Sequence, residues 1–158
     1  MTLLRSPALL GANSLPASYT PMAQSARLKP ATVLIAEHEA LMRLELAEWL
    51  TEQGFVVLEA RNADGAIALL DTHPEIELLI TDIRMPGSMD GVRLAHHVRG
   101  RWPPVTIIVV SGLFETQLSD LPEGSIFLSK PFERQKLLRA LAPFTDGSQP
   151  SPLGRHAA

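Results

Sequence analysis

The chain has 158 residues, 46% of them hydrophobic, and a formal net charge of −3, which predicts one soluble globular domain with a core of its own. It has no cysteine, so disulfide frameworks, thiolate metal sites and thiol redox chemistry are excluded. Mild acidity without a block of Lys and Arg argues against direct nucleic-acid binding, and apolar runs such as Val105 to Val110 fall far short of the roughly 20 residues of a membrane-spanning helix.

Residues 1–30 are rich in Ser, Pro and Ala and show no sustained period, so they are expected to form a flexible N-terminal extension. Leu3, Leu4, Leu9 and Leu10 imitate the start of a signal peptide, but Pro7 interrupts them and no compact apolar segment follows. The expectation is a cytoplasmic protein whose functional start is either Met1 or Met22. From residue 31 to 144, short β-branched runs alternate with longer amphipathic stretches, the pattern of βα repeats around a parallel sheet. Strands are predicted at Thr32 to Ala36, Phe55 to Ala60, Leu78 to Thr81, Val105 to Val110 and Ser125 to Leu128, continuous and apolar as doubly covered parallel strands are. Helices are predicted at Ala40 to Gln53, Ala63 to Asp71, Gly91 to Arg99 and Glu133 to Ala142, with Asn62 and Asp90 as N-caps and Gly54 just past the end of the first. Between the fourth and fifth strands only about Phe114 to Asp120 is left before Leu121, Pro122 and Gly124 turn the chain, so that helical segment is shortened. Residues 145–158 have the composition of a disordered tail, and no output domain is expected.

In an open parallel sheet the loops at the carboxyl ends of the strands form the binding crevice. There the sequence puts Glu37 and His38, Asp82, Ser111 and Lys130, the groups of a phosphoryl-transfer site. Asp82, delivered by a buried strand, is a competent nucleophile toward phosphorus when ionised and when a divalent cation neutralises the incoming charge. The loop carbonyl of Arg84 and the Glu37 carboxylate are candidate magnesium ligands beside Asp82. Lys130 would contact one phosphoryl oxygen and the Ser111 hydroxyl another, which gives the domain a way to report that phosphate is present. Taken singly each residue has a plainer role: Asp82 a turn former, Glu37 a solvated carboxylate, Ser111 a turn residue, Lys130 a surface ammonium and Phe127 an edge-strand core residue. Met85 and Pro86 are read as loop packing. Adjacent side chains on a helix diverge, so His96 and His97 are expected at the surface rather than on a metal, as is His73.

The segments Ala36-Glu37-His38-Glu39, Thr81-Asp82-Ile83-Arg84-Met85-Pro86-Gly87 with Asp90-Gly91, Val110-Ser111-Gly112 and Lys130-Pro131-Phe132 occur in the order and spacing of a known family. From about Thr32 to Ala142 the chain resembles the receiver domains of two-component response regulators, in particular stand-alone bacterial receivers. The resemblance implies an α/β, flavodoxin-like, doubly wound five-stranded parallel sheet in the order 2-1-3-4-5. It implies Asp82 as phosphoacceptor, Glu37 and His38 at the acidic-pair positions, Ser111 as the switch hydroxyl, Lys130 as the phosphate-binding lysine and Phe127 as the aromatic switch. It further implies Mg²⁺ as cofactor, a histidine kinase or phosphotransferase as donor, a downstream protein partner, weak homodimerisation, and no catalysis beyond slow self-dephosphorylation.

His38 departs from that pattern, because the family places an aspartate there as a direct magnesium ligand. An imidazole removes a negative charge, disfavours magnesium and suits zinc or manganese better; as an imidazolium it would pair with Asp82 and partly replace the cation. The alternative expectation is a degenerate receiver that acts as a phosphorylation-independent interaction module. Ser88 is a further departure, an inserted-looking residue that lengthens the loop after Asp82.

Overall fold

The computed structural model describes residues 29–112 and 118–145. Five parallel strands, β1 (Thr32–Ala36), β2 (Val56–Ala60), β3 (Ile76–Asp82), β4 (Thr106–Ser111) and β5 (Ile126–Ser129), form one sheet in the order β2-β1-β3-β4-β5. Four helices connect or follow them: α1 (Ala40–Glu52), α2 (Ala63–Thr72), α3 (Gly91–Arg101) and α4 (Arg134–Thr145). This is the doubly wound fold and strand order that the resemblance implies.

Because successive side chains of a strand point to opposite faces, the apolar runs feed two cores at once. Leu34, Leu79, Ile107 and Val109 pack with Ala63, Ala66, Leu70, Leu94, Ala95 and Val98 of α2 and α3 on one face. Val33, Ile35, Leu78, Ile80, Ile108 and Val110 pack with Leu50, Leu137, Leu141 and Phe144 of α1 and α4 on the other. Residues 34, 35, 78, 79, 80, 107 and 108 are among the largest fully buried side chains, which fixes the strands rigidly in register and hence the heights of their carboxyl ends.

Local signals explain where the helices start. Asn62 and Asp90 have extended backbones, and their side chains accept from Gly65 N at 2.8 Å and Arg93 N at 2.9 Å, satisfying amides that a helix start leaves orphaned. Replacing Asn62 with alanine removes one such acceptor and is expected to cost about 1 kcal/mol, read as a lower midpoint in urea denaturation with unchanged slope. Gly54 follows α1 with φ +92°, a conformation glycine adopts without a Cβ penalty.

Several boundaries differ from the sequence-based ones. β3 extends to both sides of Leu78 to Thr81 and takes in Asp82, β4 takes in Ser111, and β2 begins after Phe55. α4 continues past Ala142 through Pro143 to Thr145, so Thr145 belongs to a helix and not to the tail. Its last turn is held by Phe144, which is buried in the α1/α4 core, and that packing outweighs the hydrogen bond Pro143 cannot donate. Of the shortened segment between β4 and β5, only a single 3₁₀ turn at Leu118–Asp120 lies among the described residues; 113–117 lie outside them.

Candidate functional site

The carboxyl ends of β1, β3 and β5 bring three of the expected side chains into direct contact. Lys130 Nζ lies 3.0 Å from Glu37 Oε2 and 3.3 Å from Asp82 Oδ2, bridging two carboxylates that are each more than nine-tenths buried. His38 approaches the same two carboxylates, its Nδ1 3.2 Å from Glu37 Oε1 and 3.8 Å from Asp82 Oδ2. The Lys130–Pro131 peptide is cis.

The backbone holds Glu37 from several directions. Its amide donates to the Ala60 carbonyl at 3.0 Å, its carbonyl accepts from the Arg43 guanidinium at 2.8 Å, and its Oε1 accepts from the Glu39 amide at 2.9 Å. Arg43 on α1 also pairs with Glu59 at 3.4 Å, so one guanidinium ties the end of β1 to β2. Sequence reasoning missed Arg43, because its main partner is a carbonyl that any residue would supply.

Asp82 is positioned by close backbone approach. It is the last residue of β3, in register with Val110 of β4, and the Ile83 carbonyl accepts from the amide of Gly91, the first residue of α3, at 2.8 Å. A Cβ on Gly91 would fall against the Asp82 carbonyl oxygen, so only glycine lets α3 begin there. After Asp82 the chain runs through Ile83, Arg84, Met85 and Pro86, which with His38 and Asp90 line an open depression beside the carboxylates. Arg84 thus lies in the expected neighbourhood. Met85 packs against the α2/α3 core, in line with a structural role. Ser88 does more than lengthen the loop: its hydroxyl donates to Asp64 Oδ1 at 2.6 Å, anchoring the loop to the first turn of α2.

Ser111 ends β4 one residue past the position opposite Asp82 and is fully buried, its hydroxyl donating to the Gly112 carbonyl at 3.1 Å. Its own carbonyl accepts from the Lys130 amide at 2.6 Å, which fixes Lys130 to the end of β4. Phe127 lies elsewhere: half-buried on edge strand β5, in register with Val109, it packs against the α2/α3 core and does not line the depression. His96 and His97 are exposed, as expected. His96 Nε2 is 2.8 Å from the Asp120 carbonyl, His97 packs edge-on against Trp102, and His73 pairs with Glu75 at 3.0 Å.

The electrostatics of Asp82 follow from this packing. Burial pushes its carboxyl above the ordinary range; the Lys130 ammonium pulls it down and the Glu37 carboxylate pushes it up, with a net upward result. A carboxyl raised on folding contributes stability below its unfolded value and loses it as pH rises through the folded one. Asp82→Asn is therefore expected to raise the melting temperature at neutral pH by about a few degrees, with the gain vanishing in acid as the wild-type carboxyl takes up its proton. Thermal melts of both proteins across that range check the sign.

Buried carboxylates of this kind can ligate a cation and one of them can act as a nucleophile, with an ammonium placed to meet an anion. Among the described residues no helix is long and apolar enough to cross a membrane.

Residues 33–142 match the family model described as the response regulator receiver domain. The transcriptional regulatory protein PdtaR of Mycobacterium tuberculosis is 34% identical over 115 residues, covering 71% of this chain and 55% of its own length. The hydrogenase transcriptional regulatory protein HoxA of Cupriavidus necator is 35% identical over 114 residues, 70% of this chain and 23% of its own. The chain thus spans about half the length of the first and under a quarter of the second. Among solved structures, a response regulator receiver protein from Sinorhizobium medicae superposes with a TM-score of 0.67 at 31% identity, covering 77% of this chain and 98% of its own. One from Pseudomonas putida gives 0.64 at 31%, covering 72% and 96%. With the family model matching well over half of its length, the chain belongs to the response regulator receiver domains, the signalling modules of bacterial two-component phosphorelays.

Proposed function

We propose that Asp82 accepts a phosphoryl group from a histidine kinase or phosphotransferase and that the resulting change of state is read by a partner protein. The observation that carries this reading is the buried Asp82 carboxylate at the end of β3 with the Lys130 ammonium 3.3 Å from its Oδ2. An ionised carboxylate oxygen attacks phosphorus, the bond from phosphorus to the donor imidazole breaks, and the electron pair leaves with that imidazole. Lys130 stays beside the product as a charge-assisted donor to a phosphoryl oxygen. Ser111, on the strand between Asp82 and Lys130, donates to another after giving up its bond to the Gly112 carbonyl. That exchange moves the end of β4, and Phe127, one strand away, responds by repacking.

Receiver domains typically bind Mg²⁺ through acidic residues, and Glu37, Asp82 and the Arg84 carbonyl would be the oxygen donors here. A bound divalent cation supplies neutralisation of the negative charge brought in by the phosphoryl group. His38 in place of a second carboxylate makes this set a poor fit to magnesium, and the Lys130 ammonium already beside the carboxylates makes acceptance less dependent on it. Leu41 and Leu44 on α1 are exposed and offer apolar contacts to a protein partner. The same neutralisation favours, as second reading, a receiver that serves as an interaction module without phosphorylation. Intact mass after incubation with a small phosphodonor, with Mg²⁺, with Mn²⁺ and with chelator, separates the two. A single adduct absent from Asp82→Asn is expected; no adduct under any condition leaves the interaction-module reading.

A further inference from the structure

The ligand set around His38 fits a different ion from the one its family uses; this inference rests on the phosphoacceptor reading only in sharing its crevice. Magnesium demands near-octahedral oxygen ligation and keeps much of its water. In this crevice Glu37 Oε1 is engaged by the Glu39 amide, and Glu37 Oε2 and Asp82 Oδ2 are bridged by Lys130. Beside these oxygens the crevice carries a nitrogen donor, at the position where the family pattern has a carboxylate. His38 Nδ1 is shut off from solvent and makes no hydrogen bond among the described residues, although it faces Glu37 Oε1 and Asp82 Oδ2 at 3.2 and 3.8 Å. A buried ring nitrogen left unsatisfied costs about 1–3 kcal/mol, and in the tautomer that carries its proton on Nε2 it offers a lone pair to a cation. Glu37, His38 and Glu39 each offer a ligand atom, all within 4.8 Å of one another.

We propose that this crevice is a site for a borderline divalent transition-metal ion, held by His38 Nδ1 together with the Glu37 and Asp82 carboxylates. Mixed imidazole and carboxylate ligation suits cobalt, nickel or zinc far better than magnesium. The nitrogen that has no partner gains one, and the selectivity is set by the single position where the crevice carries imidazole instead of carboxylate. The exposed ring edge, on a side chain one-third accessible, leaves a path for the ion from solvent.

The test uses Co²⁺ alone as probe, on the full chain, without any phosphodonor. Visible absorption gives the affinity, and paramagnetic shifts of the histidine ring signals, with the His38 signals identified by their loss in His38→Asp, give the site. Wild-type protein is expected to bind Co²⁺ with strongly shifted His38 signals. His38→Asp, confirmed folded by circular dichroism, is expected to lose about tenfold or more in Co²⁺ affinity and to bind Mg²⁺ more tightly than the wild type does. Co²⁺ binding that leaves the His38 ring unshifted, or undiminished Co²⁺ affinity in His38→Asp, overturns the proposal. Because no phosphate is present, failure here leaves phosphorylation of Asp82 standing, and failure of phosphorylation leaves the Co²⁺ result readable.

Discussion

Replacing Gly91 with alanine is expected to destabilise the domain by at least about 3 kcal/mol and to abolish phosphoryl acceptance in whatever fraction still folds. The added Cβ would sit against the Asp82 carbonyl oxygen, 2.7 Å from its carbonyl carbon and 2.8 Å from Ile83 Cα. All of those are backbone atoms, so no rotamer change relieves the clash. Relief requires α3 to withdraw from the end of β3, breaking the 2.8 Å bond from the Gly91 amide to the Ile83 carbonyl. It also pulls Leu94, Ala95 and Val98, all fully buried, out of the α2/α3 core. Urea denaturation measures the loss. A variant within about 1 kcal/mol of wild type would contradict the close approach described for this turn.

Lys130→Met is expected to slow phosphorylation of Asp82 by about 10²–10³-fold, the usual cost of removing a preorganised electrostatic partner from a buried reacting group. Methionine keeps much of the stem and its packing while deleting the ammonium. Two effects then act in the same direction. The Glu37 and Asp82 carboxylates lose the charge between them, so the Asp82 carboxyl, already raised by burial, is pushed further up and less of it is ionised. The phosphoryl oxygens also lose their charge-assisted donor. The rate of adduct formation, followed by intact mass, reads both; a rate within a few-fold of wild type would place the necessary charge elsewhere.

Much of this architecture was legible in the sequence because parallel strands covered on both faces must be apolar along their whole length. The runs around Leu34, Leu79 and Ile108 satisfy that demand without ambiguity. Asn62 and Asp90 were legible for a local reason, since an N-cap needs only a short side-chain acceptor and the amides that follow it. The cluster of Glu37, Asp82 and Lys130 followed from topology, which gathers strand ends at one edge. What escaped was decided by contacts distant in sequence. Pro143 reads as a helix stop, yet Phe144 finds a place in the core and carries the helix past it. Ser88 reads as a spare loop residue, and only the fold brings Asp64 to within 2.6 Å of its hydroxyl. Arg43 carries no motif, because what it grips is the backbone of Glu37. Phe127 sits on β5 as the spacing implies, and only the fold shows that its side chain packs on the α2/α3 face.

The central claim is that Asp82 is the residue phosphorylated, and the most direct test is to map the modified residue itself. Protein incubated with a small phosphodonor is treated with borohydride, which reduces an aspartyl phosphate to a stable alcohol, then digested and sequenced by mass spectrometry. The account predicts conversion of Asp82 alone, dependent on the donor. Conversion at another carboxylate, or none although intact protein carries a phosphoryl group, would contradict it.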